Sequence, residues 1–476
     1  MSVRSILQTL AVAALAACSS STDGGGGPAA HLQVTPAVIN LAVPGTQQLT
    51  VSVLDDLGAT LNLPVTFTSS DTSVARVNTT GLVTTFAPGV VSITVSSGTA
   101  TAVVVPLVAS NNIVTVTVDT TFITGAQSAH LTAIVKNGAG ATVTAPVTFT
   151  ARDTSVFATG ATGTVTRKTS GSVYVVAASG GGRDSVRITA VVARLPVTRT
   201  PFAVVMLSGG AAFVTRLDTA TVYRLNLGAM TGAASVAVGS TPSSIALNKA
   251  GTQAYVGNQG SNSVSVINPA SDAVTSTLNF SGTVLSVGVP PGDSLLLVGT
   301  DNGKLYIVRL ASLTVSDSIP VPSYTNSLAF RGDTTVFANS VAAGTVAEIN
   351  LRTRTVVRTL TIGGIPQALL VSANGSQLYV ANEVGQLQIW NLASGTLVNG
   401  IPLPGGGGFS LARNPATGLL YVGTSYFGQR IHVIDPVSQT IVRTILTGGT
   451  VRRIAFLPDG SIGIAANEAG WVDFIK

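Results

Sequence analysis

Seven residues stand at one recurring point of a repeat of about forty residues: Arg216, Gln259, Asp301, Ser340, Glu383, Ser425 and Glu468. Asn326, Gln367 and Arg452 fall in a second set of loops that flanks the same place. Carboxylates gathered in this way could hold a divalent cation or move protons, whereas arginines mixed among them could bind a polar or anionic ligand. Because the acidic groups alternate with arginine and serine, a polar binding surface is the reading preferred, with Arg216, Asp301, Glu383, Arg452 and Glu468 as candidate binding residues. Metal-dependent hydrolysis is the competing reading. Two or more carboxylates converging within metal-ligand distance would favour it, and a broad shallow face would favour binding. Other chemistry finds no purchase: there is no Gly-x-Ser-x-Gly, no His-x-x-x-His and no cysteine pair. Gly405-Gly406-Gly407-Gly408 lacks the lysine and hydroxyl residue of a phosphate loop. No catalytic residue, metal ligand or cofactor is therefore assigned.

The elements that must position these residues are short strands. The pairs Phe213-Val214, Tyr255-Val256, Leu297-Val298, Val336-Phe337, Tyr379-Val380, Tyr421-Val422 and Ile464-Ala465 begin 42, 42, 39, 43, 42 and 43 residues apart. Each unit leads from a first strand through a glycine turn (Lys249-Ala250-Gly251, Ala373-Asn374-Gly375, Pro458-Asp459-Gly460) into a second, then past a polar loop into a third and a fourth. Seven such units predict a seven-bladed β-propeller over residues 194–476. In such a ring the loops joining strands two to three and four to one share a face around the central channel. Tyr255-Val256-Gly257-Asn258, Tyr379-Val380-Ala381-Asn382 and Tyr421-Val422-Gly423-Thr424 resemble the YVTN-type propeller repeats of bacterial and archaeal surface proteins. The resemblance covers residues 200–476 and implies a fold, not a task, because this architecture carries many unrelated functions. Some lactonase propellers hold a divalent cation with Glu, Asn and Asp around the channel, and the hydrolase reading takes that form. The sequence ends after a third strand, and Arg194-Leu195-Pro196-Val197-Thr198 is similar to Arg443-Thr444-Ile445-Leu446-Thr447. A strand near residues 194–198 is therefore expected to complete the seventh blade and remove an open edge.

Residues 32–108 and 113–193 repeat each other at a constant offset of 82. Pro64-Val65-Thr66-Phe67-Thr68 matches Pro146-Val147-Thr148-Phe149-Thr150, and Asp71-Thr72-Ser73-Val74 matches Asp153-Thr154-Ser155-Val156. Alternating strands with regular turn signals predict two β-sandwiches, each with its own core, so that residues 32–193 are expected to fold without the ring. Val34-Thr35-Pro36, Gly45, Gln48-Leu49-Thr50, Ser69 to Ala75 and Gly81-Leu82-Val83 resemble the bacterial Ig-like group 2 domains, which implies a spacer or adhesion module at a cell surface. The chain is thus all-β: two tandem Ig-like β-sandwiches followed by a seven-bladed β-propeller. His130 aligns with Gln48 and falls on the solvent face by alternation, and Trp390 and Trp471, in third strands, are expected to pack between blades.

Arg4, the apolar stretch Ile6 to Leu15 and the small residues after it read as an export signal. Leu15-Ala16-Ala17-Cys18 resembles the bacterial lipobox, which implies removal of residues 1–17 and lipidation of Cys18, the one cysteine of the chain. Residues 18–31, with their serines and four consecutive glycines, would be a flexible tether, and Ser19 is similar to the sorting pattern for an outer membrane. The expected address is the cell envelope, held to the membrane through that lipid. Aromatic residues make only 5% of the chain, too few for the girdles of a membrane barrel. The net charge of +6 is spread over a chain only 9% charged, without the dense basic stripe that nucleic acid needs. The expected partner is an unknown protein, peptide or glycan bound by the propeller face.

Overall fold

The structure, a computed structural model, describes residues 31–476 apart from 56, 57, 99, 101, 139, 198 and 199. Cys18, the export signal and most of the tether lie outside the described residues. Strands account for every described element except the 3₁₀ turn Gln259–Ser261, and no described helix is long and apolar enough to cross a membrane.

The described residues form two compact units. The first extends to Ile113 and takes in Val135–Pro146 and Ser179–Gly182. Its sandwich sets the sheet Ile39–Ala42, Val103–Ser110, Gly89–Ser96, Thr66–Ser69 against two three-stranded sheets. Period-2 alternation builds the core: along Gly89–Ser96, Val91, Ile93 and Val95 are buried while the residues between them are not.

The second unit holds the second Ig-like sandwich and the ring. In the sandwich, the sheet Ile113–Val118, Ser128–Lys136, Thr164–Arg167, Phe157–Thr159 faces Phe122–Thr124, Gly182–Val191, Gly171–Ser179, Thr148–Ala151. His130 is exposed. The ring has seven four-stranded sheets, and second strands such as Ala254–Asn258, Leu420–Thr424 and Gly463–Asn467 are buried along their whole length. A second strand packs on both faces, against the blades before and after it, so its middle reads as an apolar run, closed by a buried polar residue such as Asn258, Thr424 or Asn467. Fourth strands such as Ala273–Asn279 lie at the rim and carry the polar residues. Trp390 joins Phe337, Leu360 and Val380 in a cluster shared by blades four and five.

The seventh sheet consists of Val451–Phe456, Gly463–Asn467, Trp471–Ile475 and, from before blade one, Ala193–Pro196. Arg194 pairs with Asp473 and Leu195 with Val472 in antiparallel register. Val197, Val204 and Leu225 then pack on Ile464, Val472 and Phe474, so the first and last blades share one core. Arg194 also donates to Asp473 from Nε (2.6 Å) and Nη2 (2.9 Å), with its guanidinium between the rings of Trp471 (4.4 Å) and Phe122 (4.2 Å).

Phe122 belongs to the second sandwich, whose contact with the ring joins small hydroxyl residues to an apolar cluster. Thr169 Oγ1 donates to Lys476 O (2.7 Å), Lys476 N donates to Ser170 Oγ (3.1 Å) and Leu446 N to Ser172 Oγ (2.8 Å). Phe122 and Val191 share a cluster with Tyr421, Ile445 and Ile475 of blades six and seven. The second sandwich is thus seated on the ring and is not a free-standing spacer.

Candidate functional site

A cavity of about 730 Å³ opens where the loops of blades five, six and seven meet. Glu383 follows the second strand of blade five, Glu468 follows that of blade seven, and Arg452 lies in the first strand of blade seven. Arg452 Nε donates to Glu468 Oε2 (2.8 Å), Nη2 pairs with the same oxygen at 2.6 Å, and the guanidinium stacks on Phe409 at 4.2 Å. On the other wall Gln367 Nε2 donates to Glu383 Oε2 (2.8 Å), while Gln367 Oε1 accepts from Asn326 Nδ2 (2.8 Å). Each carboxylate thus has one oxygen fixed from behind.

The third wall is the loop 425–429. At five residues it is the longest connection between second and third strands in the ring. Gly428 N and Gln429 N both donate to Ser425 O (2.8 and 3.1 Å), Arg430 Nε donates to Gly428 O (2.6 Å), and Ser425 N donates to Gly407 O (3.0 Å). So tight a curl leaves no room to bury the two residues at its tip, Tyr426 and Phe427, which are 72% and 85% exposed with their rings edge to face at 5.8 Å. The pocket combines carboxylates, an arginine stacked on an aromatic ring and two exposed aromatics. It can stack a planar or apolar group and hydrogen-bond donors beside it.

Of the five candidate residues, the fold brings Glu383, Arg452 and Glu468 into this pocket. Arg216 lies along its own blade, donating to Thr221 Oγ1 (2.9 Å) and Ser235 Oγ (2.7 Å) over the ring of Tyr223. Asp301 Oδ1 accepts from Thr283 N (2.8 Å) and so ties its loop to the start of blade three. Ser340 Oγ is similarly spent on its own loop, between Ser323 O and Ala343 N. Phe409, Tyr426 and Phe427 are pocket residues that the sequence reading passed over. An adjacent aromatic pair in an over-long loop was the available signal. Among the described residues no three His, Cys, Asp or Glu side chains gather as a metal group, and Glu383 and Glu468 are bound to Gln367 and Arg452. The donor set gives the hydrolase reading no support.

His432 lies inside blade six, its Nδ1 against Thr444 Oγ1 and its Nε2 against Pro404 O, both at 3.1 Å. Since a carbonyl can only accept, Nε2 carries the proton and Thr444 donates to Nδ1. Burial pulls the pKa of His432 below the ordinary 6.5. The unfolded chain therefore binds a proton that the folded chain refuses, and stability present above about pH 6.5 is lost as pH falls toward the folded-state value. Urea melts between about pH 5 and pH 7.5 should show this slope in the wild type and a flatter one in His432→Gln. Parallel slopes would refute the assignment.

A seven-bladed β-propeller preceded by bacterial Ig-like modules is the class that this fold defines. The chain belongs to the YNCE-like beta-propeller family, whose model matches residues 99–403, and residues 28–105 match the bacterial Ig-like domain (group 2). The propeller match takes in the second sandwich and stops at the end of blade five, whereas the ring itself runs on to Ile475. Among solved structures the chain is similar to hydrazine synthase of Kuenenia stuttgartiensis, with a TM-score of 0.55 and 18% identity over 59% of this chain and 96% of that one. At that identity the likeness is one of fold alone. No curated protein matches the sequence.

Proposed function

We propose that this protein is a binding module of the cell envelope that takes a glycan or a peptide into the pocket of blades five to seven. The observation that carries the reading is the exposed pair Tyr426 and Phe427 beside two carboxylates that each keep one oxygen without a partner among the described residues. Exposed aromatics on a tightly curled loop lose little entropy when they stack on a sugar ring or an apolar side chain, and the carboxylates would accept from hydroxyl or amine groups beside it. The test is a screen of the full-length protein against glycan and peptide arrays, repeated with Tyr426→Ala/Phe427→Ala and with Glu383→Gln. Ligands of the wild type should bind each variant at least about tenfold more weakly, as hot-spot residues do. Ligands bound equally by all three proteins would place recognition elsewhere.

The second part of the reading is the anchor. Arg4, the apolar stretch behind it and Leu15-Ala16-Ala17-Cys18 support lipidation at Cys18, and Ser19 supports sorting to an outer membrane where the cell has one. Fatty-acid labelling of the wild type is expected, and none of Cys18→Ala. A labelled Cys18→Ala protein would remove the anchor from this reading and leave the pocket untouched.

A further inference from the structure

The axis of the ring holds a second arginine. Arg453 follows the pocket's Arg452 in the first strand of blade seven, where the pairing register shifts between Val451 and Arg453. Two voids lie along the axis, of about 240 and 130 Å³; Arg452 borders the larger and Arg453 borders both. Arg453 Nη1 donates to Arg452 O (2.9 Å), and Nη2 reaches across the channel toward Asn326 O at 3.4 Å. Both partners are carbonyls, which satisfy hydrogen bonds but cancel no charge.

Arg452 is neutralised by Glu468, but among the described residues no carboxylate lies within ion-pair distance of Arg453. Burial and the neighbouring Arg452 pull the Arg453 pKa from 12.5 to about 10, the direction expected where the local field is positive. Arg453 is part-buried, and a guanidinium partly withdrawn from water without a counter-charge is costly. A second, independent feature points the same way. Ser243 Oγ and Ser244 Oγ are both buried and have no protein partner; Ser243 faces the larger void and Ser244 the smaller. Free hydroxyl donors beside an uncompensated guanidinium are the groups that recognise an oxyanion.

We propose that the channel is a binding site for a small oxyanion, a carboxylate or a phosphate, held in the larger void by Arg453 and Ser243. At about 30 Å³ per water the larger void has room for roughly eight waters, enough for a tetrahedral phosphate or a short carboxylic acid. Neither Glu383 nor Glu468 lines this void, and each already has one oxygen engaged, by Gln367 and Arg452. The void shares Arg452 and Phe409 with the pocket but takes nothing from Tyr426 or Phe427, and Arg453 does not line the pocket, so the variants at these positions test the two readings separately.

The test is thermal unfolding of the full-length protein in sodium phosphate or sodium acetate, against sodium chloride of equal ionic strength. The wild type should show a saturable rise in Tm of several degrees with at least one oxyanion, and the stronger of the two arms identifies the class. Arg453→Met keeps an unbranched apolar stem and removes the charged head. It should melt at or above the wild-type temperature in chloride and lose the oxyanion response. Ser243→Ala should weaken binding several-fold and keeps the test decisive if Arg453→Met does not fold. No saturable rise in the wild type, or an equal rise in wild type and both variants, would overturn the proposal.

Discussion

Arg194→Ala is expected to cost about 3–5 kcal/mol of stability, the range for breaking a buried ion pair from one side. Asp473 has no exposed surface, and Arg194 is the residue that supplies its charge partner. The same guanidinium donates to Thr447 O (2.8 Å) and fills the space between Trp471 and Phe122. Truncation therefore removes a counter-charge, a link to the residue that follows the fourth strand of blade six and the plate between two rings, at the place where the ring closes and the second sandwich is seated. Burial pushes the Asp473 carboxyl up from its ordinary 3.8, and Arg194 opposes that push. In Arg194→Ala the push loses its main opposition. The folded variant then holds a proton that the unfolded chain has lost above about pH 4, so its stability falls as pH rises through that window. The variant should accordingly lie closer to the wild type at about pH 4.5 than at pH 7.5. Urea melts at the two values decide it, and an equal deficit at both would mean that packing, not charge, carries the loss. Arg194→Met combined with Asp473→Asn should recover most of the deficit, because removing both charges leaves nothing uncompensated.

The repeat was legible because packing imposes it. The middle of a second strand covered on both faces must be apolar, and Tyr255-Val256, Tyr379-Val380 and Tyr421-Val422 each carry that requirement in sequence. The same regularity put Arg216, Asp301, Glu383 and Glu468 at one repeat position, but it fixes where a Cα stands and not where a side chain goes. Arg216 has Thr221, Tyr223 and Ser235 within reach on its own sheet and turns to them. Arg452 has Phe409 on the next blade and Glu468 beside it, and stays in the pocket. The contact between sandwich and ring left no pattern to find. Thr169 and Ser170 in a turn and Ser172 in the strand after it have partners some 270 to 310 positions later, and hydroxyls bonding to backbone groups select no partner sequence.

Gly405-Gly406-Gly407-Gly408 was legible as a feature without a purpose, and the structure supplies one. The run carries the chain from the last strand of blade five into blade six, directly under the backbone of Glu383. A Cβ on Gly407 would overlap Glu383 O, C and Cα, all backbone atoms that no rotamer change can move, and a Cβ on Gly406 would stand 2.7 Å from Gly428 N. Gly407 O is also the acceptor that holds Ser425 N, so one residue fixes the pocket's floor to two of its walls. Gly407→Ala is thus expected to destabilise by about 3 kcal/mol or more, the upper end of the range for overpacking. It should also carry Glu383 away from Gln367 and weaken any ligand of the pocket. Gly418→Ala is the control: its φ of +75° strains an alanine, but nothing lies within 4 Å of the added methyl, so only the conformational cost of about 1 kcal/mol remains. Urea melts of the two variants separate steric overlap from backbone preference. A Gly407→Ala protein as stable as Gly418→Ala, with Glu383→Gln still affecting ligand binding in that background, would mean that the loop of blade five yields freely and that the glycines are not there to let it pass.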